Sequence, residues 1–172
     1  MKNSNNCSKI NFLDRAKQLK NYILFQDLGI PDLIKGCSKL EILQLEKKYA
    51  VILPRSYKVF LENFGRGLGG KIMRDCDVLY DDIFSLTNII RNEILIDDGD
   101  PVLPNKAFVC VGRYNEQFMF FDASGMIEEP DIYYYHIDEG NFRKIADSIF
   151  EIIEDELEVS YELEKYRKKF NK

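Results

Sequence analysis

The sequence predicts an α+β fold, and three observations carry that reading. Four stretches before residue 97 repeat apolar side chains at helical spacing. Three short β-rich segments then fall between residues 107 and 137, separated by turn residues. A last amphipathic stretch closes the chain, so helices and strands are segregated rather than alternating.

Asn11 is placed to cap a first helix running to about Leu28, with Leu13, Ala16, Leu19 and Ile23 as its apolar stripe. Gly29-Ile30-Pro31 ends it. Ser38-Lys39-Leu40-Glu41 reads as a capping box, in which the Ser hydroxyl takes a backbone N–H and the Glu reaches back. Cys37 and Ile42 occupy the staple positions, and Ile42, Leu45 and Tyr49 line one face. Leu53 to Gly65 is the stretch around which the rest is organised. Pro54 suits a first helical turn. Tyr57, Phe60, Leu61 and Phe64 share one face, and Gly65 stands where a left-handed C-terminal cap is expected. A helix this short needs tertiary packing, so its face must be buried.

Gly65-Arg66-Gly67-Leu68-Gly69-Gly70 matches the dinucleotide fingerprint letter for letter. That motif needs a strand before it and a helix after it. Here a helix precedes and a predicted strand, Lys71 to Arg74, follows, so the glycines read as a turn. Ile83, Leu86, Ile89, Ile90 and Ile94 predict a helix over 83–96, ended by Asp97-Asp98-Gly99-Asp100-Pro101. A calcium loop starting at Asp97 requires a Glu where Phe108 stands, so the cluster reads as a solvated turn.

Ala107 to Gly112 is a predicted central strand, joined through Arg113-Tyr114-Asn115-Glu116 to a second, Gln117 to Asp122. Ala123-Ser124-Gly125 turns the chain, and Ile132 to Ile137 is a third strand. There Tyr133 and Tyr135 share one face, Tyr134 and His136 the other. Asn141 is expected to cap the last helix. Its stripe is Phe142, Ile145, Ala146, Ile149, Phe150, Ile153 and Leu157, and its outer face is Asp147, Glu151, Glu154, Asp155 and Glu158. The pattern extends through Tyr161 into a basic tail.

Several of these motifs, in this order, resemble the SUKH superfamily, which includes the yeast Smi/Knr cell-wall-assembly regulators and many bacterial immunity proteins. The resemblance rests on Ser38-x-x-Glu41-Ile42, Tyr49-x-x-x-Leu53-Pro54, Ser56-Tyr57-x-x-Phe60-Leu61 and the glycine after them. The strands Phe108 to Gly112 and Phe118 to Asp122 and the Ile145 to Phe150 segment complete it. The family's usual Asn-Gly-Gly is Asn63-Phe64-Gly65 here. The span is roughly 38 to 157, a single-domain size. The resemblance implies helices packed against a mostly antiparallel sheet. It also suggests a division into an N-terminal helical extension (1–36), a SUKH-like domain (37–160) and a basic C-terminal helix end or tail (161–172).

Composition agrees with a folded protein: 172 residues, 45% hydrophobic and 13% aromatic, long enough to bury about 70% of the unfolded surface. No apolar run is long enough to span a bilayer, and Met1 to Asn6 leads into no signal-peptide h-region. Cys7, Cys37, Cys76 and Cys110 form no Cys-x-x-Cys pair, so no disulfide framework is expected and a reducing cytoplasm is the default. The net charge of −5 hides an asymmetry: residues 1–74 carry 14 Lys/Arg against 6 Asp/Glu, whereas residues 75–164 carry 5 against 23. Such an acidic body disfavours nucleic acid and favours a basic protein partner.

The chemistry of catalysis is sparse. His136 is the single histidine, which excludes a Cys₂His₂ zinc site and confines any Ser-His-Asp arrangement to one position. No phosphate-cradling loop is present. Paired carboxylates such as Asp81-Asp82 and Glu128-Glu129 are too numerous to mark a site. The expectation is a binding protein without enzyme activity, cofactor or metal. The family resemblance implies an immunity protein that neutralises a cognate toxin, often a nuclease; a basic toxin suits the charge. The alternatives are a regulator binding several host proteins, as in yeast, or a carboxylate-based enzyme. Expected contacts are Asp75, Asp77, Asp81 and Asp82, the loop residues Asp97, Asp98 and Asp100, and Tyr133 and Tyr135 as aromatic anchors. Neither membrane nor direct nucleic-acid binding is expected, and a homodimer is compatible with the sequence.

Overall fold

The computed structural model describes residues 11–97, 102–125 and 127–170. Among these, six helices pack with two antiparallel sheets, the α+β class the sequence predicts: α1 (Phe12–Phe25), α2 (Lys39–Tyr49), α3 (Arg55–Phe64), α4 (Tyr80–Ile89), α5 (Leu95–Asp97) and α6 (Ile149–Phe170). β1 (Gly29–Lys35) pairs with β2 (Gly67–Gly70). β3 (Ala107–Arg113), β4 (Gln117–Asp122), β5 (Ile132–His136) and β6 (Phe142–Ala146) lie side by side in chain order.

α3 is the centre, as its stripe predicts. Tyr57, Phe60, Leu61 and Phe64 are at most 1% exposed, and Ser56 and Val59 are buried as well. The helix touches α1, α2, α6 and β1, and the Tyr57 ring lies 5.6 Å from Phe108 and 5.0 Å from Phe121 of the larger sheet. The capping box of α2 forms: Glu41 N–H donates to Ser38 Oγ at 3.3 Å and Ser38 N–H to Glu41 Oε2 at 2.7 Å. Cys37 and Ile42 are both buried. In α1 the buried residues are Phe12, Ala16, Leu19 and Ile23, while Leu13 is 48% exposed. They join one apolar core with α3 and α6.

Five expectations are corrected. Gly65 is right-handed (φ −61°), not a left-handed cap. It is needed for closeness instead, since a Cβ there would lie 2.5 Å from Cys37 Sγ and 2.7 Å from the Leu61 carbonyl oxygen. Gly67–Gly70 is a strand, and 71–74 is bend and turn. Its partner β1 has no alternation to read in the sequence: among its residues only Ile34 is buried. Gly69 and Gly70 take φ of +95° and +90°, which glycine adopts without strain. The 83–96 helix starts at Tyr80 and is interrupted by a π-helical turn, Ile90–Ile94, before α5. The wider turn shifts the stripe, so Leu95 rather than Ile94 is fully buried. Finally, Phe142–Ala146 is β6, not the first turns of α6. Strand pairing with β5 overrides the helical spacing, and the Phe142 ring packs 5.1 Å from Phe120 and 5.3 Å from Tyr135. Ser148, not Asn141, serves the helix start, where its Oγ accepts from Glu151 N–H at 3.2 Å.

Cys37, Cys76 and Cys110 are free thiols. Burial pushes Cys37 and Cys110 up to about 12. Among the described residues no helix is long and apolar enough to cross a membrane.

Candidate partner-binding face

The expected aspartates at 75–82 come together on the segment that links β2 to α4. Buried Ile72 and Met73 anchor its start. Its middle is held by an isolated bridge to β3: Asp77 N–H donates to the Gly112 carbonyl at 2.8 Å and Gly112 N–H returns to Asp77 at 2.9 Å. Asp81 and Asp82 then occupy the first turn of α4, where the helix dipole favours carboxylates. Asp75, Asp77, Asp81 and Asp82 are all exposed. Asp77 and Asp82 border a groove with Leu33, Leu79, Cys76 and Arg66. Partial desolvation, then the charge of Asp77, raises the Asp82 carboxyl above its ordinary value. Asp75 opens on the neighbouring cleft with Arg113 and Glu156.

Asp81 differs from the other three because Arg66 claims it, Nη1 to Oδ1 at 2.6 Å. The same guanidinium bonds the Glu41 carboxylate through Nε at 2.9 Å and through Nη2, and lies 4.4 Å from the Tyr80 ring centroid. Arg66 thus ties the α2 capping box to the start of α4. Nothing in the sequence marks it, since Glu41 lies 25 positions away. Two further arginines share this character. Arg113 donates to Cys76 Sγ at 3.0 Å and to Glu156 at 3.2 Å. Arg15 fastens α1 to Glu154 of α6 with two bonds of 2.8 Å.

The tyrosines are elsewhere. Register runs Asp77, Gly112, Phe118, Tyr135 across the sheet, which sets Tyr135 three strand spacings, about 14 Å, from Asp77. Tyr135 is fully buried, its ring 5.0 Å from Phe118, so it offers a partner no surface. Tyr133 is half-buried and stacks on Phe120 at 5.6 Å. Asp97 ends α5; Asp98 and Asp100 lie outside the described residues. His136 accepts from Asp138 N–H at 3.0 Å, a turn contact. Among the described residues no group of three or more His, Cys, Asp or Glu is arranged to hold a metal.

A family model described as the SMI1/KNR4 family (SUKH-1) matches residues 36–155. The chain belongs to the SMI1/KNR4 family. No curated protein matches it. The SUKH-1 span opens at Gly36, directly after β1, and ends within α6. It therefore includes the aspartate segment, Arg66 and the larger sheet, and leaves α1, β1 and residues 156–170 of α6 outside. Within this SUKH-1 core the Arg66 node makes a pH prediction. Arg66, then the Ser38 backbone and hydroxyl, hold the Glu41 carboxyl down from 4.5 to about 2. A depressed carboxyl stabilises the fold above its unfolded value and ceases to as pH falls through the folded one. Thermal melts of wild type and Glu41→Gln should differ fully at pH 7 and converge between pH 4.5 and about 2. A gap unchanged at pH 2 would contradict the pairing.

Proposed function

We propose that this SUKH-1 chain is a non-enzymatic binding protein of the cytoplasm, an immunity protein that neutralises a cognate basic toxin. A toxin acting on nucleic acid carries a cationic groove, and a carboxylate-rimmed surface can occupy it. The observation that supports the reading is the state of Asp75, Asp77 and Asp82. All three are exposed, Asp77 and Asp82 beside a partly apolar groove, and among the described residues no ion pair neutralises them, whereas Asp81 is claimed by Arg66. Unpaired carboxylates are the ones that steer a cation.

The test is association kinetics. The partner is captured from the source cell on immobilised chain, identified and purified. The triple variant Asp75→Lys, Asp77→Lys, Asp82→Lys should then bind it about 10- to 1,000-fold more slowly at low salt, with the difference shrinking as salt rises. Glu93→Lys, an exposed change on the π-turn, is the control. Reversal of the 97–100 cluster is measured alongside. Equal association rates for wild type and the triple variant would remove this face from the interaction.

A further inference from the structure

The second half of α6 leaves an apolar stripe uncovered. Val159, Leu163, Tyr166 and Phe170 are between 54% and 63% exposed. They recur at steps of four, three and four, the spacing of a helix–helix seam, over about 16 Å of helix. The opposite face of the helix is occupied: Ile153, Leu157 and Ser160 are buried, and Lys168 reaches Asp27 at 3.5 Å. The stripe borders a shallow groove on the helix surface with Glu162 and Lys169, and at its N-terminal end Val159 and Leu163 also border the cleft that holds Asp75 and Arg113.

We propose that this stripe is a self-association surface, on which α6 of a second copy packs antiparallel. Charge decides the occupant. The stripe is flanked by Asp155, Glu158 and Glu162 at its N-terminal end and by Lys165 and Lys169 at its C-terminal end. A surface acidic at one end and basic at the other complements itself under a two-fold rotation. With the axis between Leu163 and Tyr166, those two residues meet their counterparts and Val159 meets Phe170. Glu162 and Lys169 lie on one edge of the stripe, so each Glu162 faces Lys169 of the second copy. An antiparallel pair also opposes the helix dipoles. A parallel pair would set the lysine-rich ends side by side. Four half-exposed side chains bury only about 400 Å² per copy, half of the ~800 Å² of a standard interface, so the dimer is weak and concentration-dependent.

Sedimentation of the full chain from about 1 μM to about 1 mM should show a weight-average mass rising from 20.2 kDa towards twice that value. Leu163→Glu with Tyr166→Glu should hold it at the monomer mass while leaving the circular dichroism unchanged. Lys169→Glu should also dissociate the dimer, Glu162→Lys combined with Lys169→Glu should restore it, and Arg167→Glu, on the other flank, should have little effect. A wild-type mass of 20.2 kDa throughout overturns the proposal, including when the stripe variants instead lose the captured partner. A dimer that survives the double Glu variant overturns it too. Loss with Arg167→Glu but not with Lys169→Glu would mean a parallel pair and overturn the antiparallel arrangement.

Discussion

Phe108→Ala is expected to cost about 3–5 kcal/mol of stability, the range for truncating a buried aromatic ring. Phe108, the second residue of β3, is 0% exposed. Its ring meets Tyr49 edge-on at 5.4 Å, Tyr57 at 5.6 Å and Phe121 at 5.5 Å. These neighbours stand on three different elements, α2, α3 and β4, so the void cannot close by moving one of them. Against a typical total of about 5–15 kcal/mol, the loss would leave the domain marginal. Urea unfolding would show it as a lower midpoint at unchanged slope. Phe108→Leu, which keeps much of the volume, should cost less than about 1.5 kcal/mol. Equal midpoints for the alanine variant and wild type would mean that the ring lies outside the core.

Gly36→Ala is expected to destabilise by about 3 kcal/mol although it adds one methyl group at an exposed position. A Cβ on Gly36 would lie 1.7 Å from the Glu62 carbonyl oxygen and 2.3 Å from its carbon. Both atoms are α3 backbone, so no side chain can rotate out of the way. The link between β1 and α2 would have to lift off the helix, breaking the bond from Cys37 N–H to the Leu61 carbonyl at 2.8 Å. Gly125→Ala is the control: its added Cβ meets nothing nearer than 3.5 Å and its φ is not positive. It should be neutral or stabilise by up to about 1 kcal/mol. Similar melting temperatures for the two variants would remove the argument.

Much of this was legible beforehand for one physical reason. The α2 capping box, the α3 stripe and the β3–β4 hairpin are written in residues within a few positions of each other, and local geometry obeys them wherever the segment is placed. The bounds of β4, Gln117–Asp122, coincide with the predicted strand. The acidic bias of residues 75–164 is equally a property of the chain.

Partnership is what the tertiary structure decided. β1 and β6 are strands because β2 and β5 lie beside them, and a strand's hydrogen bonds are made across the sheet, not along the segment. Arg66 joins residues 25 positions apart, and Arg15 joins residues 139 apart. Such pairings also sort the carboxylates: Glu41, Asp81 and Glu154 are held by arginines, while Asp75, Asp77 and Asp82 are left open to solvent. A count of charges cannot make that distinction, because the free energy of an ion pair depends on a distance that only the folded backbone sets.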